Sequence, residues 1–298
     1  MVRQTLLCVS FLLAAGCDSA TPTIAAGARD IPYRVLGTGG PSVIFLTDWN
    51  SAAEDWYGVQ DKVSQLTASL LYDRTAAAAD DLQPRTPGHV IAELEQVMSS
   101  VDLPRPYVVV GHGAGALYAR LFAAKHETDV AGLVLINALH EDLDAAMAAI
   151  MPKEAFAEYS AARDKTFSTR GARGEYAYLK EAYAQVHELP PLPERAHLTI
   201  ISGGTPALVP YVPEDRLDAW KVFYELQGRL GSLALNSRWL VARQSGHAIH
   251  QDQPEVIVDA IDQMVNLVRQ PEDSSAASEK PFEQIEFQSI DDLLSFEE

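Results

Sequence analysis

The sequence predicts an α/β domain, a mostly parallel sheet with helices on both faces and an inserted helical cap. Two observations carry that expectation. Short apolar runs at residues 42–47 (SVIFLT), 69–72, 107–110 (YVVV), 132–136 (GLVLI), 198–202 and 239–242 read as buried strands. Between several of them lie amphipathic stretches of helical period, such as 90–101 and 116–125. Strands that alternate with helices pair in parallel, because each crossover returns the chain to the same end of the sheet. The chain has 298 residues, 47 % of them hydrophobic and 21 % charged, enough apolar material for a substantial core. One domain of about 240 residues accounts for the span 31–270, and no internal repeat is visible.

The first segment is an address. Arg3 precedes an apolar run to Ala15, with small residues up to Cys17, which is the order of a secretory signal. The run is shorter than the roughly 20 apolar residues that span a bilayer. Leu13-Ala14-Ala15-Gly16-Cys17 resembles the lipobox of bacterial lipoproteins, in which the cysteine is lipidated and becomes the new N-terminus. A plain signal peptide with an incidental cysteine is the alternative. Asp18 resembles the signal that keeps some lipoproteins at the inner membrane. The expectation is a leader at 1–16 and a small, polar tether at 17–30, with the mature protein exported and lipid-anchored to the bacterial cell envelope, at the inner membrane on its periplasmic side. Cys8 lies in the discarded segment, so neither cysteine is left for catalysis or a disulfide, and no Cys/His spacing suggests a metal.

Residues 141–197 break the strand and helix rhythm. They are rich in Ala, Tyr, Lys and Glu, contain no strand candidate and end in Leu-Pro-Pro-Leu-Pro, which reads as the cap. The tail, 271–298, carries nine acids and one lysine; a disordered start is expected near 271–280. Its apolar residues from Phe282 to Phe296 fit either a frayed terminal helix or a docking segment, at 281–298, for a protein partner. The net charge of −18 excludes nucleic-acid binding by bulk charge. Of that charge +1 belongs to Arg3, −8 to the tail and −11 to residues 17–270, so nearly half of it describes the tail more than an acidic site.

Residues 106–138 run from a strand through Gly111, His112, Gly113, Ala114 and Gly115 into a helix. This resembles the Gly-x-nucleophile-x-Gly elbow of the α/β-hydrolase family, where flanking glycines make a strained bend sterically possible. Leu71-Tyr72-Asp73-Arg74 is similar to a segment that follows an earlier strand in many members. Ser245-Gly246-His247 with Asp252-Gln253-Pro254 resembles the segment carrying the family's catalytic histidine. The resemblance spans residues 31–270 and implies an esterase or lipase-like site without a cofactor or metal.

Position by position, that site is deficient. The nucleophile position holds Gly113, which has no side chain, and neither Ser99, Ser100 nor Ser245 lies where it would substitute. Losing such a nucleophile costs on the order of a millionfold in turnover in another hydrolase. His247 keeps the base position and is expected to line the pocket. The acid is unassigned: Asn137 follows the 132–136 strand and cannot balance an imidazolium, and Glu141, Asp142 and Asp215 are the candidates. The oxyanion loop reads Thr47-Asp48-Trp49-Asn50 where members commonly carry His-Gly-x. The backbone N–H groups of Trp49 and Ala114 are the expected donors there. Asp48 either turns outward to cap a turn or places a carboxylate that opposes an oxyanion. His112 is expected to be structural, and His140 either faces the pocket or caps a turn.

Three functions fit these residues. One is a catalytically degenerate hydrolase that binds a small apolar or ester-like ligand between sheet and cap. Another is an active hydrolase or lyase with His247 as general base and no acyl-enzyme. The last is a membrane-tethered interaction protein acting through its acidic tail.

Overall fold

A computed structural model describes residues 22–26, 29–49, 51–74, 85–167, 170–205 and 216–270. The leader, Cys17, Asn50, Asp215 and the acidic tail lie outside the described residues. The described chain forms an eight-stranded sheet in the order β1-β2-β4-β3-β5-β6-β7-β8. All six apolar runs are strands: β3 (Ser42–Leu46), β4 (Ser69–Tyr72), β5 (Tyr107–His112), β6 (Val130–Ile136), β7 (His197–Gly203) and β8 (Asn236–Ala242). These six pair in parallel throughout.

Two further strands were not among the apolar runs. β1 (Thr23–Ala26) and β2 (Arg29–Leu36) form an antiparallel hairpin, and β2 then pairs antiparallel with β4. Among the described residues the sheet thus includes part of the span 17–30 expected as tether. β2 carries no continuous apolar run: among its described side chains only Ile31 is fully buried, while Arg34 turns out to Asp61 at 2.8 Å. A strand at the sheet margin needs no continuous apolar run.

The two faces of the sheet divide the core. On one, Val109 and Leu133 pack with Val90, Leu94 and Val97 of α2 (Pro87–Ser99) and with Tyr118 and Phe122 of α3 (Gly115–Lys125). On the other, Val108 and Val110 meet Val59 and Val63 of α1 (Tyr57–Val63) and Ile257, Ile261 and Met264 of α10 (Pro254–Arg269). Neighbouring residues of β5 thus face opposite layers, and each aliphatic side chain so buried contributes about 2 kcal/mol relative to exposure.

The inserted segment is helical, as expected: α4 (Leu143–Ile150), α5 (Lys153–Phe167), α6 (Arg170–Tyr176) and α7 (Leu179–His187), before β7 resumes the sheet at His197. It docks at two places. Leu143, Met147 and Tyr159 pack against Trp220 and Phe223 of α8 (Leu217–Arg229). Phe167, Ala172 and Leu179 pack against Trp49 and Leu117 at the top of the sheet.

One close approach sets the site. A Cβ on Gly115 would overlap the Leu46 carbonyl oxygen and lie 2.6 Å from that of Thr47, so α3 begins directly against the end of β3. Only a glycine allows the two backbones to meet this closely. Gly115→Ala is expected to destabilise the domain by about 3 kcal/mol, since backbone rather than a movable side chain must yield. Urea unfolding of the variant against the parent measures it.

Candidate active site

At the end of β5 the chain turns through Gly113 with φ of +53°, a left-handed conformation that glycine adopts freely. The Gly113 N–H donates to the Ile136 carbonyl at 3.0 Å, and its own carbonyl accepts from Leu139 N–H at 3.0 Å. The elbow is therefore intact, with no side chain at its apex.

The space that side chain would fill belongs to Asp48. A Cβ on Gly113 would lie 2.7 Å from Asp48 Oδ2 and nearer still to Cγ and Oδ1. Asp48 does not turn outward: it is buried, its Oδ1 accepts the Ala114 N–H at 2.8 Å, and its Oδ2 lies 2.9 Å from His247 Nε2. Ala114 immediately precedes α3, so the carboxylate caps that helix from a distant part of the chain and sits at the positive end of its dipole. Burial alone would raise the Asp48 pKa. The His247 hydrogen bond and charge, with the Ala114 N–H, outweigh burial and hold the carboxyl well below its usual range.

An ionised carboxylate only accepts hydrogen bonds, so His247 Nε2 must carry the proton it shares with Oδ2. This single contact changes three parts of a serine-hydrolase site at once. The nucleophile's volume is filled, the Ala114 N–H is already taken, and the ring nitrogen facing the elbow is a donor rather than a base.

His247 is held by its backbone. Asn137, with φ of 40°, donates from Nδ2 to the Gly246 carbonyl at 3.0 Å and the His247 carbonyl at 3.1 Å, while its Oδ1 accepts the Gly203 N–H at 2.9 Å. The amide therefore ties the end of β6 to the end of β7 and to the histidine loop. A carboxylate there would lack the two donated bonds. His112 Nε2 donates to the same His247 carbonyl at 3.1 Å, from a buried position, as expected of a structural histidine.

The candidate acids separate. Glu141 is committed to Arg120 in a bidentate pair of 2.6 and 2.9 Å, which together with the guanidinium charge keeps its carboxyl low despite partial burial. Asp142 is half-exposed near the start of α4, 4.0 Å from His187. Asp215 is outside the described residues. His140 is buried and accepts the Asp142 N–H at 3.1 Å, so it caps a turn. Trp49 is buried, and its indole N–H donates to Glu175 at 2.9 Å. Nothing in the local sequence Arg-Gly-Ala-Arg-Gly-Glu-Tyr marks Glu175 as buried, because its partners come from distant segments. No cluster of metal-ligating side chains occurs among the described residues.

Beneath the site, His250 on α9 (Ile249–Asp252) stacks on Trp56 at 4.6 Å and lies 5.1 Å from the His112 ring. Both His250 ring nitrogens are buried without a hydrogen-bond partner. Burial pushes its pKa down to about 4, and pushes that of His112 well below the ordinary value. Unfolded, these rings take up a proton near pH 6.5 that the folded state refuses, so stability is full above that pH and falls as pH drops. His250 alone should remove about 3 kcal/mol between pH 6.5 and 4, and Asp48, whose folded carboxyl is held low, adds a separate loss below about pH 4. Urea unfolding across pH is expected to show the first slope shrink in His250→Gln while the second persists.

Comparison with known proteins agrees with this architecture. Over 231 residues the chain is 24 % identical to YqjL, an uncharacterised protein of Bacillus subtilis strain 168, covering 76 % of this chain and 83 % of that one. The mouse alpha/beta hydrolase domain-containing protein 10 superposes with a TM-score of 0.60 at 17 % identity, over 83 % of this chain and 98 % of that one. A thermophilic esterase from Thermogutta terrifontis gives 0.59 at 15 % identity, over 84 % and 98 %. At such identities the likeness to the two structures is one of fold. The family model for the alpha/beta hydrolase family matches residues 12–260, most of the chain, and this chain belongs to that family.

Proposed function

We propose that this protein is an alpha/beta hydrolase without serine acyl-enzyme chemistry, serving as a binder of a small apolar or ester-like ligand between sheet and cap. The observation that carries this reading is the position of the Asp48 carboxylate, lying across the volume of a Gly113 side chain with the Ala114 N–H and His247 Nε2 both bonded to it. An ester carbonyl entering there finds no nucleophile, one oxyanion donor already occupied and a resident negative charge. The His247 side chain keeps 22 % exposure against 11 % for Asp48, so a ligand reaches the pair through the imidazole. The alternative of an active hydrolase or lyase with His247 as base draws less support, because Nε2 donates its proton to Asp48.

A fluorophosphonate probe is expected to leave the parent protein unlabelled, and labelling would refute the reading. Gly113→Ser alone is expected to remain unlabelled and to lose roughly 3 kcal/mol, because its Cβ collides with Asp48 and carries the strained backbone. The double variant Asp48→Gly/Gly113→Ser removes the collision and frees the Ala114 N–H; it is expected to recover stability and to label. Thermal denaturation and in-gel fluorescence read both outcomes.

We also propose export and anchoring through a lipidated Cys17, supported by the order of residues from Arg3 to Cys17. No described helix is long and apolar enough to cross a membrane. In a bacterial host the full chain is expected to incorporate radiolabelled palmitate and to sediment with membranes, and Cys17→Ala to do neither.

A further inference from the structure

Both chain neighbours of Asp48 are tied to one carboxylate in the cap. Glu175 of α6 is fully buried, and its Oε2 accepts the Trp49 indole N–H at 2.9 Å. Arg74, which follows β4, donates from Nε to both Glu175 oxygens at 3.2 and 3.1 Å and from Nη1 to the Thr47 carbonyl. Arg85, just before α2, adds Nη2 to Glu175 Oε1 at 3.3 Å and donates from the same nitrogen to Glu93 Oε1 at 2.7 Å. Thr47 and Trp49 flank Asp48 on the loop leaving β3, so the loop is gripped on each side of the residue that fills the elbow.

The grip is long-range and charged. Glu175 lies 126 residues from Trp49 and 101 from Arg74, and Arg74 is 1 % exposed, its guanidinium 5.2 Å from the Tyr118 ring. A buried carboxylate between two guanidinium groups cannot leave without stranding cations in the interior. The Trp49 ring also packs on Phe167 at 4.8 Å and Tyr176 at 5.5 Å, both from the cap, so movement of this part of the cap carries the tryptophan with it.

We propose that Glu175 is a positioning residue: through Trp49 and Arg74 it fixes the Asp48 carboxylate against Ala114 and His247, coupling the seating of the cap to the state of the elbow. This rests on the reading of Asp48 as the polar centre of the site. A ligand that parts α6 from the sheet top thereby loosens Asp48, and one that leaves α6 seated meets the elbow already filled.

The test uses the 15N imidazole resonances of His247 in the full chain, assigned by their loss in His247→Gln. Asp48→Asn is expected to shift the Nε2 signal. Glu175→Gln, which touches neither His247 nor Asp48, is expected to shift it in the same direction. Glu93→Gln, which changes the outer partner of Arg85 and leaves Glu175 intact, is expected to leave it in place. If Glu175→Gln does not fold, Trp49→Phe keeps the ring and deletes the indole bond, and the same shift is expected. Stability losses of Glu175→Gln and Asp48→Asn should fail to multiply in the double variant by about fivefold or more in the unfolding constant. Additive losses, or an unmoved signal in a folded Glu175→Gln or Trp49→Phe, overturn the role of Glu175. An unmoved signal in Asp48→Asn instead overturns the account of Asp48 itself.

Discussion

The arrangement of this site depends on one carboxylate at the start of a helix. Asp48 meets the N–H of Ala114, just before α3, and the imidazole of His247, and both contacts need the backbone of α3 to lie directly on the end of β3. Gly115 permits that approach and Gly113 leaves room for the side chain. The two glycines therefore do different work: one lets backbones touch, the other leaves an apex empty so that a residue from another loop can occupy it.

In an acyl-transferring site the elbow supplies a nucleophile, the following N–H stabilises the charge that develops, and the histidine moves the proton. Here the apex has no side chain, and the following N–H and the histidine are both bonded to Asp48 in the resting protein. A site optimised for transition-state charge keeps its donors unpaired and so carries unfavourable energy; one whose donors already hold an ionised partner is relaxed. A glycine at the apex alone does not produce this state. The paired occurrence of Asp48 and Gly113 does, since either residue with a serine-type partner would clash or leave a hole.

The cap is part of the same constraint. Glu175, Arg74 and Arg85 form a buried charge cluster whose members come from the inserted helices and from the two ends of the connection between β4 and α2. Removing Glu175 leaves two buried guanidinium groups without the carboxylate between them, which costs more than the intact cluster contributes. Such a cluster specifies one seating of the cap over others, and Trp49 transmits that seating to the loop that carries Asp48.

The sequence by itself determined the fold class and the six parallel strands, because continuous apolar runs and helical periodicity are local properties of the chain. It also placed an acid at position 48 and an empty apex at 113. It missed β1 and β2, whose half-buried marginal position does not demand an apolar run. Only the tertiary structure decided that Asp48 points inward, that Asn137 clamps the histidine loop, and that Glu175 is buried rather than solvated. Each of those outcomes depends on partners between 66 and 199 residues away. The direction of a short polar side chain is set by the donors that surround it, and those donors exist only once the sheet and the cap have brought distant segments together.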